Sequence, residues 1–147
     1  MARKNENLQL FKNSVPRQFG GLLLKGNPKK ARPLSTKHSI HLVLKSHLAH
    51  GQKSLLHSRH RARVAQIIRK QANGRGIRIY HLVNVGNHLH LVIRVGRKSL
   101  IAGRRDFHSF VRSVTGLIAR QVLGAERNHA KRTRFWVARP FTRLMSW

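Results

Sequence analysis

The chain has 147 residues, enough for one domain with a substantial hydrophobic core. Its 31 lysines and arginines stand against 3 acidic residues, which gives a formal net charge of +28 and a pI near 12.0. Such a surface repels itself in water and attracts polyanions, so the composition favours nucleic acid as the partner. The sequence has neither an apolar run of about 18 residues nor a clean basic amphipathic helix, and we therefore expect no membrane partner.

Acidic residues are nearly absent from the whole chain, and not only from one groove. A DNA enzyme must release its product, whereas a component packed into a large RNA contacts phosphates on several sides. This distribution favours rRNA over DNA, with ribosomal proteins as further partners. A lineage in which all proteins are basic is the alternative explanation.

Cysteine is absent, so the sequence predicts no disulfide framework and no thiolate metal site. The first seven residues lack the apolar run of a secretory signal, and we expect a cytoplasmic protein. The pattern leaves the oligomeric state open.

Residues 1–37 are predicted to form a basic extension, because three prolines and the Gly20-Gly21 pair interrupt any long element. From His38 to Lys45 the alternation predicts a strand with Ile40, Leu42 and Leu44 on one face. The opposite face of that strand carries His41, Val43 and Lys45.

A helix is predicted from Ser54, as its N-cap, to about Gln71. Its many cations have no glutamate four residues away to pair with, so we interpret them as a ridge that faces phosphates. Residues 77–95 then predict a β-hairpin, because Val85-Gly86-Asn87 separates two apolar runs.

A second helix is predicted to begin at Asp106, as its N-cap, and to end at Gly124. An aromatic segment, 135–141, is predicted to close the sheet as a core strand. From Phe141 to Trp147 we expect aromatic side chains that stack on unpaired bases.

The order strand, helix, strand, strand, helix, strand predicts an α+β, ferredoxin-like βαββαβ fold with two helices on one antiparallel sheet. The predicted domain covers residues 38–141, followed by a C-terminal tail at 142–147. Two loops, at 96–99 and 103–105, are basic and could hold phosphates, but neither has the pattern of a nucleotide-hydrolysing loop.

The candidate nucleic-acid contacts lie in both extensions, in the first helix, in the basic loops and near the C-terminus. They are Arg3, Lys4, Lys29, Lys30, Arg32, Arg59, Arg61, Arg63, Arg69, Lys70, Arg97, Lys98, Arg104, Arg105, Lys131, Arg132, Arg134, Arg139, Phe141, Arg143 and Trp147.

The second strand of the hairpin contains a His-x-His motif. A period of two places His88 and His90 on the same face of the strand, and neutral imidazole is a good ligand for divalent ions. The chain has 11 histidines, however, so such spacings also arise by chance.

The segment from Asn87 to Ile93 resembles the His-hydrophobic-His signature of the single-tyrosine HUH transposases, the IS200-like and REP-associated families. The order of elements from Lys37 to Phe141 is similar as well. The resemblance implies a ferredoxin-like fold in which the histidine pair binds Mg²⁺ or Mn²⁺. It also implies a helix tyrosine that attacks DNA to form a 5′-phosphotyrosine, and a glutamine, here Gln121, that completes the metal site.

The tyrosine of that family is missing from the second helix. If Gln121 matches the family glutamine, the nucleophile position one turn earlier is Leu117, and a shifted alignment offers Ile118. Neither side chain has a nucleophilic atom, and Ser113 and Thr115 have no evident base. The chain's single tyrosine, Tyr80, lies on the first strand of the hairpin and would be the nucleophile of an active enzyme.

These residues predict a non-catalytic RNA-binding protein, a ribosomal protein or ribosome associate, on a transposase-derived scaffold and without a cofactor. The alternative is an IS200-like transposase or single-strand DNA nuclease with His88, His90 and Gln121 on Mg²⁺ or Mn²⁺. A DNA-binding repressor derived from a transposase is a third hypothesis.

Overall fold

A computed structural model describes residues 17–21, 31–96, 99–124 and 134–145. It contains five strands and two α-helices, in the order β1 (Gln18–Phe19), β2 (Ile40–Lys45), α1 (Ser58–Asn73), β3 (Ile77–Asn84), β4 (His88–Val95), α2 (Leu100–Leu123) and β5 (Phe141–Leu144). None of the helices in these ranges is long and apolar enough to cross a membrane.

The strands form one sheet in the order β1, β5, β2, β4, β3, and each neighbouring pair is antiparallel. The four strands β2 to β5 with α1 and α2 have the βαββαβ connectivity of the ferredoxin-like fold. This confirms the predicted fold class. β1 adds a short strand outside β5, so the sheet includes a strand before the range 38–141 expected for the domain, and β5 extends three residues past that range.

The core forms between one face of the sheet and the two helices. Strand alternation puts Leu89, Leu91 and Ile93 of β4 on this face, and all three are fully buried. On α2, Phe110 and Val114 belong to an apolar stripe at helical spacing that is buried against them. The packing of this stripe determines which face of the sheet the helices cover and which face they leave uncovered.

Helix α1 begins later than predicted. Its N-cap is His57, whose Nδ1 accepts a hydrogen bond from the backbone N–H of Arg59 at 3.3 Å. Ser54 instead accepts from the N–H of Leu56 in the preceding turn. The predicted Ser54 cap is therefore wrong, because the serine stabilises a local turn of its own.

Helix α2 begins six residues before the predicted N-cap. Ser99 holds the N-cap position, and the N–H of Gly103 donates to its carbonyl at 3.0 Å. The predicted phosphate loop at 103–105 is therefore the first part of a helix, and Asp106 lies inside it. A glycine costs a helix only about 1 kcal/mol, so Gly103 does not interrupt α2.

The closing strand also differs from the prediction. Before Pro140 the segment 135–141 makes an isolated bridge between Trp136 and Ser46, the residue after β2, and the regular strand begins at Phe141. Proline has no N–H to donate to a sheet, which explains why β5 starts beyond it. Phe135 is nevertheless buried in the core, as expected.

Arg32, which was predicted to contact nucleic acid, is buried. Its guanidinium donates to the Pro140 carbonyl at 2.8 Å and to Thr142 Oγ1 at 2.7 Å. Its Cζ also lies 4.4 Å from the centre of the Phe19 ring. Arg32 therefore ties the segment before β2 to β5, and its role as a phosphate contact stays a prediction.

Candidate nucleic-acid interface

The face of the sheet opposite α1 and α2 carries the other half of the alternating side chains. We call it the histidine face and define it by the strand pairings as His41, Val43, Lys45, Arg78, His81, Val83, His88, His90, Val92, Arg94, Phe141 and Arg143. It combines imidazoles, cations, valines and one aromatic ring. The sheet therefore has one apolar face under the helices and one mixed, basic face.

Three histidines form a row across two strands of this face. The rings of His41 on β2 and His90 on β4 stack with their centres 5.3 Å apart, and His41 Nε2 lies 3.1 Å from His90 Nδ1. The ring of His88 meets His90 edge-on at 4.8 Å. His88 Nδ1 in turn donates to Asn87 Oδ1 at 2.6 Å, which orients that ring.

Two histidines of the row, His41 and His90, have lowered pKa values. Burial lowers the pKa of His41, and the nearby Arg143 lowers it further. Burial, followed by the charges of His88 and His41, lowers the pKa of His90. Two neutral imidazoles can share one hydrogen bond, whereas two protonated ones would repel each other.

The histidine pair fits part of the metal site that the transposase resemblance implies. Nδ1 of His88 and Nδ1 of His90 both have hydrogen-bond partners, which leaves the Nε2 atoms as the two possible ligands. In the part of the chain that the structure describes, no three histidine or carboxylate side chains are grouped to hold an ion. Mg²⁺ and Mn²⁺ prefer oxygen ligands, so two imidazoles alone make a poor site for them.

Gln121 does not join the two histidines. It lines a groove between α1 and α2, together with Leu117 and Arg120, on the helix side of the sheet. The full thickness of the sheet separates this groove from His88 and His90. The predicted three-residue metal set is therefore not assembled within the chain.

The α2 positions considered for a nucleophile have structural roles. Ile118 is fully buried in the core, and Leu117 is half-buried. Ser113 Oγ accepts from the Arg75 guanidinium at 2.9 Å, and Thr115 Oγ1 donates to the Val111 carbonyl at 2.8 Å. None of these four residues is placed to attack a phosphate.

Tyr80 lies on β3, at an irregularity where the pairing with β4 shifts between Ile79 and His81. Its side chain is 47% exposed. Such bulges re-aim a side chain relative to the regular strand. Tyr80 is therefore accessible to solvent, on the strand next to the one that carries His90.

Apart from Arg32, which is buried, and Phe141, which is half-buried, the predicted nucleic-acid contacts divide into three groups. Arg104 is half-buried and donates to the Arg32 carbonyl at 3.0 Å, so it has a structural contact. The exposed candidates are Arg59, Arg61, Arg63, Arg69, Lys70, Arg105, Arg134, Arg139 and Arg143. The candidates outside the described residues are Arg3, Lys4, Lys29, Lys30, Arg97, Lys98, Lys131, Arg132 and Trp147.

The sequence did not reveal which residues lie next to His41 and Lys45 on the histidine face. The register pairs His41 with Arg143 and Lys45 with His88, which places a cation beside each end of the histidine row. Phe141, predicted to lie in a contacting tail, is instead half-buried in β5 opposite Val43. The signal for His41 and Lys45 was present in the period-two alternation of β2, but their partners depend on long-range register.

No family model matches the chain, and no curated protein matches its sequence. Among solved structures, a REP-associated tyrosine transposase bound to a REP hairpin matches with a TM-score of 0.53 and 12% sequence identity, over 82% of this chain and 64% of that one. The fold is that of a tyrosine transposase. A protein described as a transposase from Deinococcus radiodurans R1 matches with a TM-score of 0.43 and 18% identity, over 69% of this chain and 68% of that one.

The likeness to this transposase agrees with the predicted ferredoxin-like fold class. The chain spans less than two thirds of the length of the hairpin-bound transposase. At such low identity the likeness concerns the arrangement of helices and strands and does not transfer individual residues.

The histidine row predicts a loss of stability in mild acid. The pKa values of His41 and His90 are lower in the folded than in the unfolded chain, so the unfolded chain takes up protons first as the pH falls below about 6.5. We expect the free energy of unfolding, measured with urea, to fall between about pH 7 and about pH 5. The double variant His41→Gln/His90→Gln should show a smaller fall over the same range.

The variant His50→Gln, at an exposed position outside the row, is the matched control and should keep the fall seen in the unmodified chain. An equal or steeper fall in the double variant would show that the row is not the source of the pH dependence.

Proposed function

We propose that the chain binds single-stranded, hairpin-forming DNA through the histidine face, as a transposase-related protein without phosphotyrosine chemistry on α2. The observation that carries this proposal is the histidine face itself. It is a basic surface with imidazole and aromatic rings, on a fold whose solved counterpart is bound to a hairpin.

The chemistry of the face fits a single strand. Lys45, Arg78 and Arg143 are exposed cations that can contact successive phosphates. Phe141 and the imidazoles present ring edges and faces on which unpaired bases can stack. Neutral histidines also offer both a donor and an acceptor to a base edge.

A single strand suits this face better than a duplex. The major groove of B-DNA admits a helix or a two-stranded ribbon, whereas a broad sheet surface can hold splayed bases side by side. A broad sheet surface of this kind suits the loop of a hairpin or a single-stranded tail beside its stem.

The predicted rRNA-binding role gains no support from the similar structures, since both are described as transposases. The high net charge is compatible with either nucleic acid, because phosphates are common to both. The transposase fold therefore makes DNA the preferred substrate class, in place of the RNA that we expected from composition.

A second candidate function is DNA cleavage with Tyr80 as the nucleophile. The observation in its favour is the exposed position of Tyr80 at a bulge in β3. In such a reaction the phenolic oxygen would bond to phosphorus while the 3′-oxygen of the preceding nucleotide leaves with a proton.

The first test measures the salt dependence of binding to a DNA hairpin with a single-stranded tail. The variant Lys45→Gln/Arg143→Gln removes two cations from the histidine face. If both contact phosphates, the slope of log affinity against log salt should become shallower by about 2. Fluorescence anisotropy at several salt concentrations gives this slope.

Arg61→Gln/Arg69→Gln removes two exposed cations from α1 and provides a control with the same charge. We expect the slope of this control to stay closer to that of the unmodified chain. An equal change in both double variants would show non-specific attraction, and tighter binding to an RNA hairpin of the same sequence would contradict the choice of DNA.

The second test asks whether Tyr80 reacts. Incubation with the labelled hairpin and Mn²⁺, followed by denaturing electrophoresis, should give no covalent protein–DNA adduct if the chain only binds. An adduct that disappears in Tyr80→Phe would support the cleavage function and contradict a binding-only role.

A further inference from the structure

A cavity of about 360 Å³ lies on the helix side of the sheet, below β1 and β5. Its apolar wall includes Phe19 and Val111, both half-buried. Its basic side chains are Arg32, His108, Arg112 and Arg139. The combination of an apolar wall with several cations is unlike the groove between α1 and α2, which is lined mainly by polar side chains.

The cations of this cavity differ in how they are held. Arg32 lies at the base, 9% exposed, with its guanidinium stacked on Phe19 and hydrogen-bonded to β5. Arg112 and Arg139 are exposed at the rim. The inner cation is thus fixed by packing, whereas the outer two can reach a ligand.

Positive charges are concentrated in this region. Burial and the nearby Arg139 lower the pKa of Arg32 to about 10, so it stays charged at neutral pH. Burial, then Arg32 and Arg104, lowers the pKa of His108. An anion bound at the rim would relieve the repulsion between these groups.

The size and lining fit one nucleotide. A cavity of a few hundred Å³ is at the small end of ligand sites, and an apolar wall accepts the face of a base. Arginine side chains at the rim are suited to a phosphate, because the guanidinium offers paired N–H donors. The cavity can therefore accept both the base and the phosphate of a nucleotide.

The position of the cavity connects it with the histidine face. Arg139 lies two residues before Phe141, the first residue of β5, and Phe141 is on the histidine face. A strand that leaves the histidine face at this edge can therefore reach the cavity within a short distance.

We propose that this cavity binds one unpaired nucleotide of the same DNA strand, with its base against Phe19 and Val111 and its phosphate between Arg112 and Arg139. This inference rests on the proposed function, since it requires a strand on the histidine face. It adds a second binding position, on the opposite side of the sheet.

The test uses the tailed hairpin with an abasic site placed at each tail position in turn. For the unmodified chain, one position should weaken binding about tenfold, because that base leaves its apolar wall. The variants Arg112→Gln/Arg139→Gln and Val111→Phe should each lose this dependence. The first removes the phosphate contacts, and the second fills the cavity without changing charge.

The control Arg61→Gln/Arg69→Gln has the same charge as the rim variant and should keep the abasic effect. Equal affinity for every abasic tail, or an abasic effect that persists in both cavity variants, would overturn the proposal. Tight binding of free deoxyadenosine 5′-monophosphate without an abasic effect would overturn it in favour of a free nucleotide. Failure to bind any hairpin would instead contradict the proposed function.

Discussion

The constraint on which the rest of the structure depends is the shortage of negative charge. With 31 lysines and arginines and 3 acidic residues, most cations of the chain cannot be paired with a carboxylate of the same chain. The structure satisfies several of them with neutral acceptors. Arg32 uses a carbonyl, a threonine hydroxyl and an aromatic ring, and Arg75 uses the hydroxyls of Ser109 and Ser113. Many other cations of the described residues are exposed, and phosphates are natural counter-ions for them.

This shortage shapes the two faces of the sheet. The helices cover one face with aliphatic and aromatic side chains, and this packing does not depend on charge. The other face carries imidazoles and cations, and the nearby His88 and His41 add to the effect of burial in lowering the pKa of His90. A bound strand would reverse that effect, because phosphates favour the protonated ring. Binding and protonation of the histidine face are therefore expected to be coupled.

Sequence reasoning predicted the elements well where the pattern is local. The alternation in 40–45 and 88–95 identified the two central strands and placed His88 and His90 on one face. It could not predict the contact between His41 and His90, because the register between β2 and β4 depends on residues far apart in the chain. Gln121 was assigned to the histidine site from a family resemblance, whereas the orientation of α2 puts it on the other side of the sheet.

Two other differences from the sequence predictions have different causes, one local and one long-range. The start of α2 was placed at Asp106 because a glycine and two arginines were interpreted as a loop, whereas Ser99 already caps the helix. The burial of Arg32 left no signal in the sequence, since it requires Phe19, Thr142 and Pro140 to meet at one edge of the sheet. Long-range contacts of this kind are the part of the fold that a single sequence does not reveal.

The central claim is that the histidine face binds a single strand of DNA. Its most direct test is photochemical cross-linking of a tailed hairpin that contains 5-bromodeoxyuridine at successive positions, followed by peptide mass spectrometry. The account predicts cross-links to peptides of β2, β4 and β5 that carry His41, His90 and Phe141. Cross-links confined to α1, with none on these strands, would contradict it.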